Sequence, residues 1–300
     1  MPAGMRTMLG DAFHLSSGVL SAVDLECRDP CANAADWPGA PYMNIQPSSP
    51  IGIVAALHEE ISELLTLLSE ARRIRIGSRE FWQGELDGRA VVVVLSRIGK
   101  VAAATTAAVL VTHFGVRAVV FTGVAGALAP QVAVGDVVVS TELLQHDVDA
   151  SPLFPRWEIP LTGVARFQAD PALAQGLLAS AKAILGDPSA LLGPQVMHAF
   201  GIVSPQAHAG LIISGDRFVS TSAESQRLKD ALPDALAVEM EGAAVAQVCY
   251  EWGVPFAAIR TISDRADDAA SVDFAQFISD VDSRYSVAIL RRWLSGPGSA

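Results

Sequence analysis

The chain has 300 residues, of which 51% are hydrophobic and 18% are charged. A chain of this length and composition can bury one sizeable core. Its 21 basic and 32 acidic residues give a formal net charge of -11 at pH 7, and no basic cluster stands out along the sequence. Because such a charge repels phosphate backbones and anionic lipid headgroups, we exclude nucleic acids and membranes as partners.

Hydrophobic stretches and cysteines favour a cytoplasmic protein. One apolar stretch without a charge, residues 118–134, contains glycine, proline and glutamine. It is also shorter than the ~20 apolar residues of a membrane-spanning helix. Cys27, Cys31 and Cys249 lack the spacing of a disulfide framework or a zinc site, so we expect three free thiols.

The N-terminal part differs in composition from the rest. Residues 28–50 carry five prolines and no apolar period, a composition typical of disordered segments. We therefore expect residues 1–49 to form a disordered tail and residues 50–295 to form one folded domain.

From residue 51 onward the pattern indicates an α/β protein. The run IGIVAAL predicts a buried strand, and the leucines of EEISELLTLLSEA recur at helical spacing. Two strands follow around an Asp87-Gly88 turn, and then an alanine-rich helix that ends at Gly115.

The second half of the chain continues this alternation. RAVVFT and DVVVS predict buried strands, and we interpret the segment between them, GVAGALAPQVAVG, as a turn. Residues 145–201 have weak periodicity. Strands are predicted again in AGLIISGD, ALAV and VPFAAIRTI, and the final segment FAQFISDVDSRYSVAILRRWL predicts a helix.

Polar residues follow four of these strands. They are Glu59 and Glu60, the glycine segment 123–126, Met240 and Glu241, and Ser263 with Asp264. In open α/β sheets, ligands bind at the carboxyl ends of strands. Each acidic residue alone is explained by the preference of helix N-termini for negative charge, but three carboxylates beside a glycine segment exceed what capping requires. The combination predicts a small-molecule site.

Several common sites are excluded by spacing. His58 has no second histidine four residues later, Gly99-Lys100 lacks the rest of a P-loop, and GVAGAL is not a dinucleotide fingerprint. No serine lies in a G-x-S-x-G elbow. We interpret the motif His146-Asp147-x-Asp149 as a polar loop, and we expect neither a metal nor a cofactor.

The chain contains six motifs in this order: IGIVAALHEE, GVAGALAP, VGDVVVS, SGDRFV, VEMEGAAVAQVC and AIRTISDRAD. They resemble, in order, those of the 5'-methylthioadenosine/S-adenosylhomocysteine nucleosidases within the nucleoside phosphorylase superfamily. The resemblance covers about residues 51–294. It implies a single-domain three-layer α/β/α fold with a central mixed, partly barrel-like sheet, and it makes residues 50–295 the catalytic domain.

The resemblance implies cleavage of an N-glycosidic bond by water, with release of adenine and a 5-thio-substituted ribose. Asp264 matches the general acid that protonates the purine N7, and such a role favours a raised pKa. Glu60 matches the carboxylate that deprotonates the attacking water. Glu241 matches the acceptor of ribose hydrogen bonds, with Met240 packing against the sugar. Glu239 is expected to make a structural contact instead.

The resemblance also assigns the remaining walls of the substrate site. Phe218 matches the aromatic residue that stacks on adenine, and Val219 matches the residue whose backbone contacts the base edge. Phe274 corresponds to a wall of the 5' pocket, which a neighbouring subunit completes in this family, so a homodimer is implied. The other substrate-binding residues that we expect are Arg260, near the ribose and the water, and Ser263, Ala125 and Gly126.

Two departures leave alternatives open. Many family members have serine where Val124 stands, and the segment ASPLFPRWEIPLTGVARF is unusual for the family. A phosphate-dependent phosphorylase is one alternative, although Glu60 would repel a phosphate dianion. A hydrolase of a related nucleoside such as futalosine is another. A non-catalytic nucleoside-binding protein is a third, although it would need no proton donor.

Overall fold

The computed structural model describes residues 46–267 and 274–296. The predicted disordered tail falls almost entirely outside these residues, as do Cys27 and Cys31. Within the described ranges, Cys249 is a buried free thiol, in agreement with its position on the apolar side of a predicted helix.

Eleven strands of the described chain form one mixed sheet in the order β2-β3-β4-β1-β5-β11-β6-β10-β9-β7-β8. Strand β11 also pairs with β7, so β11, β6, β10, β9 and β7 close into a ring. The sheet is therefore partly barrel-like, as predicted. The strands are β1 Ile51–Ala55, β2 Ser69–Ile76, β3 Arg79–Leu86, β4 Arg89–Leu95, β5 Ala118–Phe121, β6 Val124–Ala127, β7 Val137–Gln145, β8 Arg166–Gln168, β9 Ala207–Ser214, β10 Ala235–Glu239 and β11 Phe256–Asp264.

Helices cover both faces of this sheet and complete the three layers. Helices α2 and α7 pack together on one face, and α1, α3 and α9 pack on the other. A π-helical turn, Ile278–Asp282, joins α8 to α9. The helices are α1 His58–Thr66, α2 Lys100–Phe114, α3 Pro171–Leu185, α4 Pro188–Leu192, α5 Pro194–Ala199, α6 Ser222–Ala231, α7 Gly242–Trp252, α8 Phe274–Phe277 and α9 Ser283–Leu294.

The central strands are apolar because both of their faces are covered. All five residues of β1 are buried, and β1 pairs in parallel with β4 on one side and with β5 on the other. A parallel strand between two helical layers needs apolar side chains on both faces. This explains the continuous hydrophobic runs in the sequence.

Two predicted elements are wrong in detail. The segment Val124–Ala127, predicted as part of a turn, is strand β6, which is parallel to β11 and antiparallel to β10. Its small residues suit this crowded position, since a Cβ on Gly126 would lie 2.8 Å from Asp264 Oδ1. The first helix ends at Thr66 rather than near residue 71, because Ser69–Ile76 pairs with β3.

None of the helices in the described segments is both long and apolar enough to cross a lipid bilayer.

Candidate active site

A cavity of about 320 Å³ lies at the carboxyl ends of β1, β10 and β11. This volume is at the lower end of the range for small-molecule sites. The cavity brings together every predicted site residue except Arg260. Its lining residues are Ala56, Leu57, Glu60, Ile98, Val124, Ala125, Gly126, Arg217, Phe218, Val219, Val238, Glu239, Met240, Glu241, Ser263, Asp264 and Phe274.

Glu60 lies in the first turn of α1, directly after β1, and its carboxylate reaches back to the strand end. Oε2 accepts hydrogen bonds from the backbone N–H of Ala56 at 2.8 Å and of Leu57 at 2.9 Å. Oε1 accepts one from the N–H of Val124 at 3.3 Å. Burial raises the pKa of Glu60, and these hydrogen bonds and the charge of Arg260 oppose the rise. The carboxylate is therefore held in one position.

Gly123 makes room for this carboxylate. Its φ of +140° is one that L side chains rarely adopt, and a Cβ at this position would lie 2.5 Å from Glu60 Oε1. Any other residue would therefore displace Glu60.

Glu241 lies at the junction of β10 and α7. Its Oε1 accepts a hydrogen bond from the backbone N–H of Gly99 at 2.8 Å. Burial, together with the nearby charge of Glu239, raises the pKa of Glu241 to about 8. A ligand group that donates a hydrogen bond to this carboxyl would therefore stabilise its ionised form.

Asp264 ends strand β11, and both of its oxygens are hydrogen bonded. Oδ2 accepts from the Ser263 hydroxyl at 2.7 Å, and Oδ1 accepts from the N–H of Ala266 at 2.7 Å. Burial raises the pKa of Asp264 in spite of these contacts. This shift makes the protonated form of Asp264 more favourable than that of an exposed aspartate.

Arg260 lies behind the cavity rather than on its wall. It is 1% exposed, its Nη2 lies 2.6 Å from Glu239 Oε2, and its guanidinium stacks over the Phe121 ring at 4.1 Å. Glu239 also accepts hydrogen bonds from the Ser214 hydroxyl and from the N–H of Gly242. The predicted structural role of Glu239 is confirmed in these contacts, although Glu239 also reaches the cavity wall.

Aromatic side chains form the opposite, more exposed wall. Phe218 is 46% exposed, and its ring meets that of Phe274 edge to face at a centroid distance of 6.1 Å. Val219 is buried beside Phe218, and Met240 lines the cavity next to Glu241. An apolar wall facing three carboxyls suits a flat heterocycle attached to a polyhydroxyl group.

Some lining residues were not predicted from the sequence. Ile98 and Arg217 lie in loops outside the strands, and Leu57 is the last residue of the apolar segment IGIVAAL. In the sequence, these two loops are indicated only by the short polar segments SRIGK and SGDR. In the described part of the chain, no group of three or more His, Cys, Asp or Glu side chains is arranged to hold a metal ion.

Comparison with known proteins identifies the family to which this chain belongs. A family model described as the phosphorylase superfamily matches residues 50–294. The chain therefore belongs to the phosphorylase superfamily.

Individual relatives identify a more specific class of protein within this superfamily. A protein of Staphylococcus aureus described as 5'-methylthioadenosine/S-adenosylhomocysteine nucleosidase is 36% identical over 229 residues, which are 76% of this chain and 92% of the relative. Within the superfamily, this chain belongs to the 5'-methylthioadenosine/S-adenosylhomocysteine nucleosidases. It is an enzyme, a nucleosidase that hydrolyses N-glycosidic bonds.

Solved structures agree in fold. The nucleosidase of Neisseria meningitidis, in complex with methylthio-immucillin-A, has a TM-score of 0.72 at 31% identity and covers 82% of this chain and 98% of its own. S-adenosylhomocysteine nucleosidase of Streptococcus pyogenes, in complex with 5-methylthiotubericidin, has a TM-score of 0.70 at 35% identity, covering 83% and 97%. Both complexes hold nucleoside analogues.

Proposed function

We propose that this enzyme hydrolyses the N-glycosidic bond of 5'-methylthioadenosine, S-adenosylhomocysteine or both, and releases adenine and a 5-thio-substituted ribose. The observation that carries the proposal is the meeting of Glu60, Glu241 and Asp264 at one nucleoside-sized cavity. These carboxyls come from three distant parts of the chain. Burial raises the pKa values of all three carboxyls, a perturbation that is common in groups that transfer protons.

Asp264 acts as the general acid in this proposal. A proton delivered to the purine N7 turns adenine into a good leaving group, because the electron pair of the breaking bond then enters a neutral base. The raised pKa of Asp264 keeps its proton available. The Ser263 hydroxyl and the Ala266 N–H hold the carboxyl in position.

Glu60 activates water on the other side of the sugar. The ionised carboxylate takes a proton from the water as its oxygen attacks the anomeric carbon, where positive charge develops. Three backbone N–H groups fix the carboxylate, so little reorganisation is needed during the reaction. Val124, which stands where many relatives have serine, contributes its backbone N–H to this arrangement.

Glu241 accepts hydrogen bonds from the ribose hydroxyls, and Met240 packs against the sugar. Arg260 acts on this region from behind: it is paired with Glu239 and its charge opposes protonation of Glu60. We therefore assign Arg260 an electrostatic role toward the ribose and the water rather than a direct contact.

Phe218 stacks on adenine, and the Val219 backbone and the strand Ala125–Gly126 face its edge. Phe274 borders the 5' substituent. Ile98 at the cavity is 55% exposed, and Val101, three residues further along the chain, is 78% exposed. A second copy of the chain would cover such apolar side chains, so we propose a homodimer whose partner subunit completes the 5' pocket. Residues 50–295 form the catalytic domain of each subunit, in agreement with the family match to residues 50–294.

Charge at the cavity favours water over phosphate as the nucleophile. Among the lining residues, Arg217 is the one basic side chain, and its guanidinium is paired with Glu224. Glu60 occupies the position at which a phosphate dianion would need cationic or N–H donors. Hydrolysis is therefore favoured over phosphorolysis.

A substrate panel tests the proposal. Purified enzyme is assayed for base release from methylthioadenosine, adenosylhomocysteine, deoxyadenosine, inosine and futalosine, each with and without phosphate. We expect adenine release from one or both thio-nucleosides at a rate that does not depend on phosphate. A strict requirement for phosphate would select the phosphorylase, and turnover of futalosine alone would select the related hydrolase.

A further inference from the structure

A fourth buried carboxyl lies close to this site but does not line the cavity. Asp282 is the last residue of the π-helical turn between α8 and α9, and it is 0% exposed. The turn packs against α1, which carries Glu60, and against β11, which carries Arg260. π-helical turns inside α-helices are rare and are frequent at functional sites.

Asp282 has few groups that could stabilise a negative charge. Its Oδ1 accepts a hydrogen bond from the Ser286 hydroxyl at 3.3 Å, and the Thr261 side chain lies close enough to the carboxyl to lower its pKa. Ser286 in turn shares a 2.6 Å hydrogen bond with Thr122. Oδ2 has no hydrogen-bond partner among the described residues. No backbone N–H and no cation is hydrogen bonded to Asp282 in this part of the chain.

The neighbouring carboxylates are better supported. Glu60 accepts three backbone N–H groups, and Glu239 pairs with Arg260 and accepts further N–H groups. Arg260 therefore already forms an ion pair with one carboxylate, that of Glu239. Like charges in a buried cluster cannot all persist without compensation. The cluster must therefore carry a proton, and this proton is held by Asp282, the carboxyl with the fewest hydrogen-bond donors to stabilise its charge.

We propose that Asp282 is a positioning residue for the hydrolysis: it holds the single proton of a buried Glu60–Asp282 pair, so that Glu60 is the ionised base. This inference rests on the proposed role of Glu60. The proton of the attacking water passes to Glu60, the electron pair of the C–N bond passes to adenine, and Asp282 neither gains nor loses a bond in the step.

The electrostatics of the pair agree with this assignment. Burial raises the pKa of Asp282 to about 7, and the charge of Glu60 adds to the rise while Thr261, Arg260 and Ser286 oppose it. From the packed elements, Glu60 on α1 and Arg260 on β11 are the charged groups that act on Asp282. Helix α8 carries no ionisable side chain, and Asp280 on the same turn is hydrogen bonded to Gln276 and Ser279 instead.

The pair predicts a specific pH dependence. When Asp282 loses its proton above its midpoint, the second negative charge favours the step in which Glu60 gains a proton. Wild-type enzyme therefore has a more effective base at alkaline pH than an enzyme with a neutral residue at this position. Below the midpoint the two enzymes have the same charge.

The kinetic test compares wild type with Asp282→Asn, which keeps the size of the side chain. The ratio of kcat/KM, variant over wild type, is measured from about pH 5.5 to about pH 9. We expect a ratio close to one at low pH that falls by about threefold or more as Asp282 ionises in the wild type. A ratio that is constant, or that rises with pH, overturns the proposal, because a purely structural role would lower activity equally at every pH.

A spectroscopic measurement is independent of turnover. Infrared difference spectra of wild type should show a protonated carboxyl signal that is lost as pH rises through about 7 and that is absent in Asp282→Asn. In Glu60→Gln the same signal should be lost at lower pH, because the neighbouring charge is gone. Ser286→Ala removes the hydroxyl donor and should move the loss to higher pH. Identical titrations in wild type and Asp282→Asn, or in wild type and Glu60→Gln, contradict the pair.

The two proposals fail in distinguishable ways. If Glu60→Gln retains normal turnover, the assignment of the base is wrong and the pair has no catalytic meaning. If Glu60→Gln is inactive but Asp282→Asn shows a ratio independent of pH, the base assignment stands and the role of Asp282 alone is refuted.

Discussion

Carboxylates in two regions of this enzyme have opposite tendencies to hold a proton. At the surface, Arg166 on β8 lies 2.9 Å from Glu142 and 2.6 Å from Asp234. Hydrogen bonds from Gln168 and Arg166 lower the pKa of Glu142, and Arg166 lowers that of Asp234. At the cavity, burial raises the pKa values of Glu60, Glu241 and Asp264.

The difference lies in the neighbours rather than in the residue types. Surface carboxylates meet a guanidinium and water, so they remain ionised and serve as anchors. Cavity carboxyls are buried, and the buried cation that acts on Glu60 and Glu241, Arg260, is already paired with Glu239. Proton transfer near neutral pH needs groups of the second kind. The following substitutions test this difference between the two regions.

Removing the proposed base should have the largest effect. Glu60→Gln keeps the shape of the side chain but cannot take a proton from water, so we expect kcat to fall by about 10²–10⁴-fold. Steady-state assays with methylthioadenosine check this. Glu59→Gln, a change at the exposed neighbouring residue, is the matched control and should retain normal activity.

Removing the buried cation should destabilise the fold. Arg260→Gln leaves Glu239 buried and unpaired, which costs about 3–5 kcal/mol of unfolding free energy. Urea denaturation measures the loss. Arg166→Gln breaks a half-exposed pair and should cost only about 0.2–1 kcal/mol. Equal losses in the two variants would show that burial does not distinguish the two regions.

Gly123→Ala should misplace the proposed base, Glu60, without removing it. A Cβ at this position would lie 2.5 Å from Glu60 Oε1, so we expect kcat/KM to fall by about 10–100-fold. Gly77 also has a positive φ, of 59°, but has open space around it. Gly77→Ala should therefore lose stability with unchanged kcat/KM. If both variants keep full activity, close packing around Glu60 is not needed.

The pH dependence of stability should differ in sign between the regions. The pKa of Glu241 is raised to about 8, so its contribution to stability is lost as pH rises from the ordinary glutamate range toward 8. Glu241→Gln should flatten that fall. The pKa of Glu142 is lowered, so its contribution is present at neutral pH and lost on acidification. Glu142→Gln should therefore be less stable than wild type at pH 7 by up to about 1 kcal/mol, with the deficit disappearing in acid.

The sequence predicted the meeting of three carboxyls at one cavity better than some of the elements around them. Glu60, Glu241 and Asp264 were recognisable because each follows an apolar run, and the ends of such runs meet in an α/β fold. Strand β6 was mistaken for a turn, because Gly123 and Gly126 suit turns as well as close packing against β11. Strand β2 was missed, because SEARRIRI is exposed and has no buried face to give it an apolar pattern.

Side-chain direction was the least predictable property. Arg260 was expected near the ribose, but its guanidinium is held behind the cavity by Glu239. Asp282 was not predicted at all, although the pattern contained a signal: it lies among buried residues of the last helix, near Ile278, Val281 and Ser286. A carboxylate on the apolar face of a helix indicates either a buried partner or a held proton.

The central claim is that Asp264 supplies a proton in the transition state, and one comparison tests it most directly. Turnover of methylthioadenosine by Asp264→Asn is measured beside the affinity of the same variant for that substrate, with Asp230→Asn as an exposed control. We predict that kcat falls by about 10²–10⁴-fold while Kd changes by less than about threefold. Turnover at the wild-type rate, or a loss of binding as large as the loss of activity, would contradict the account.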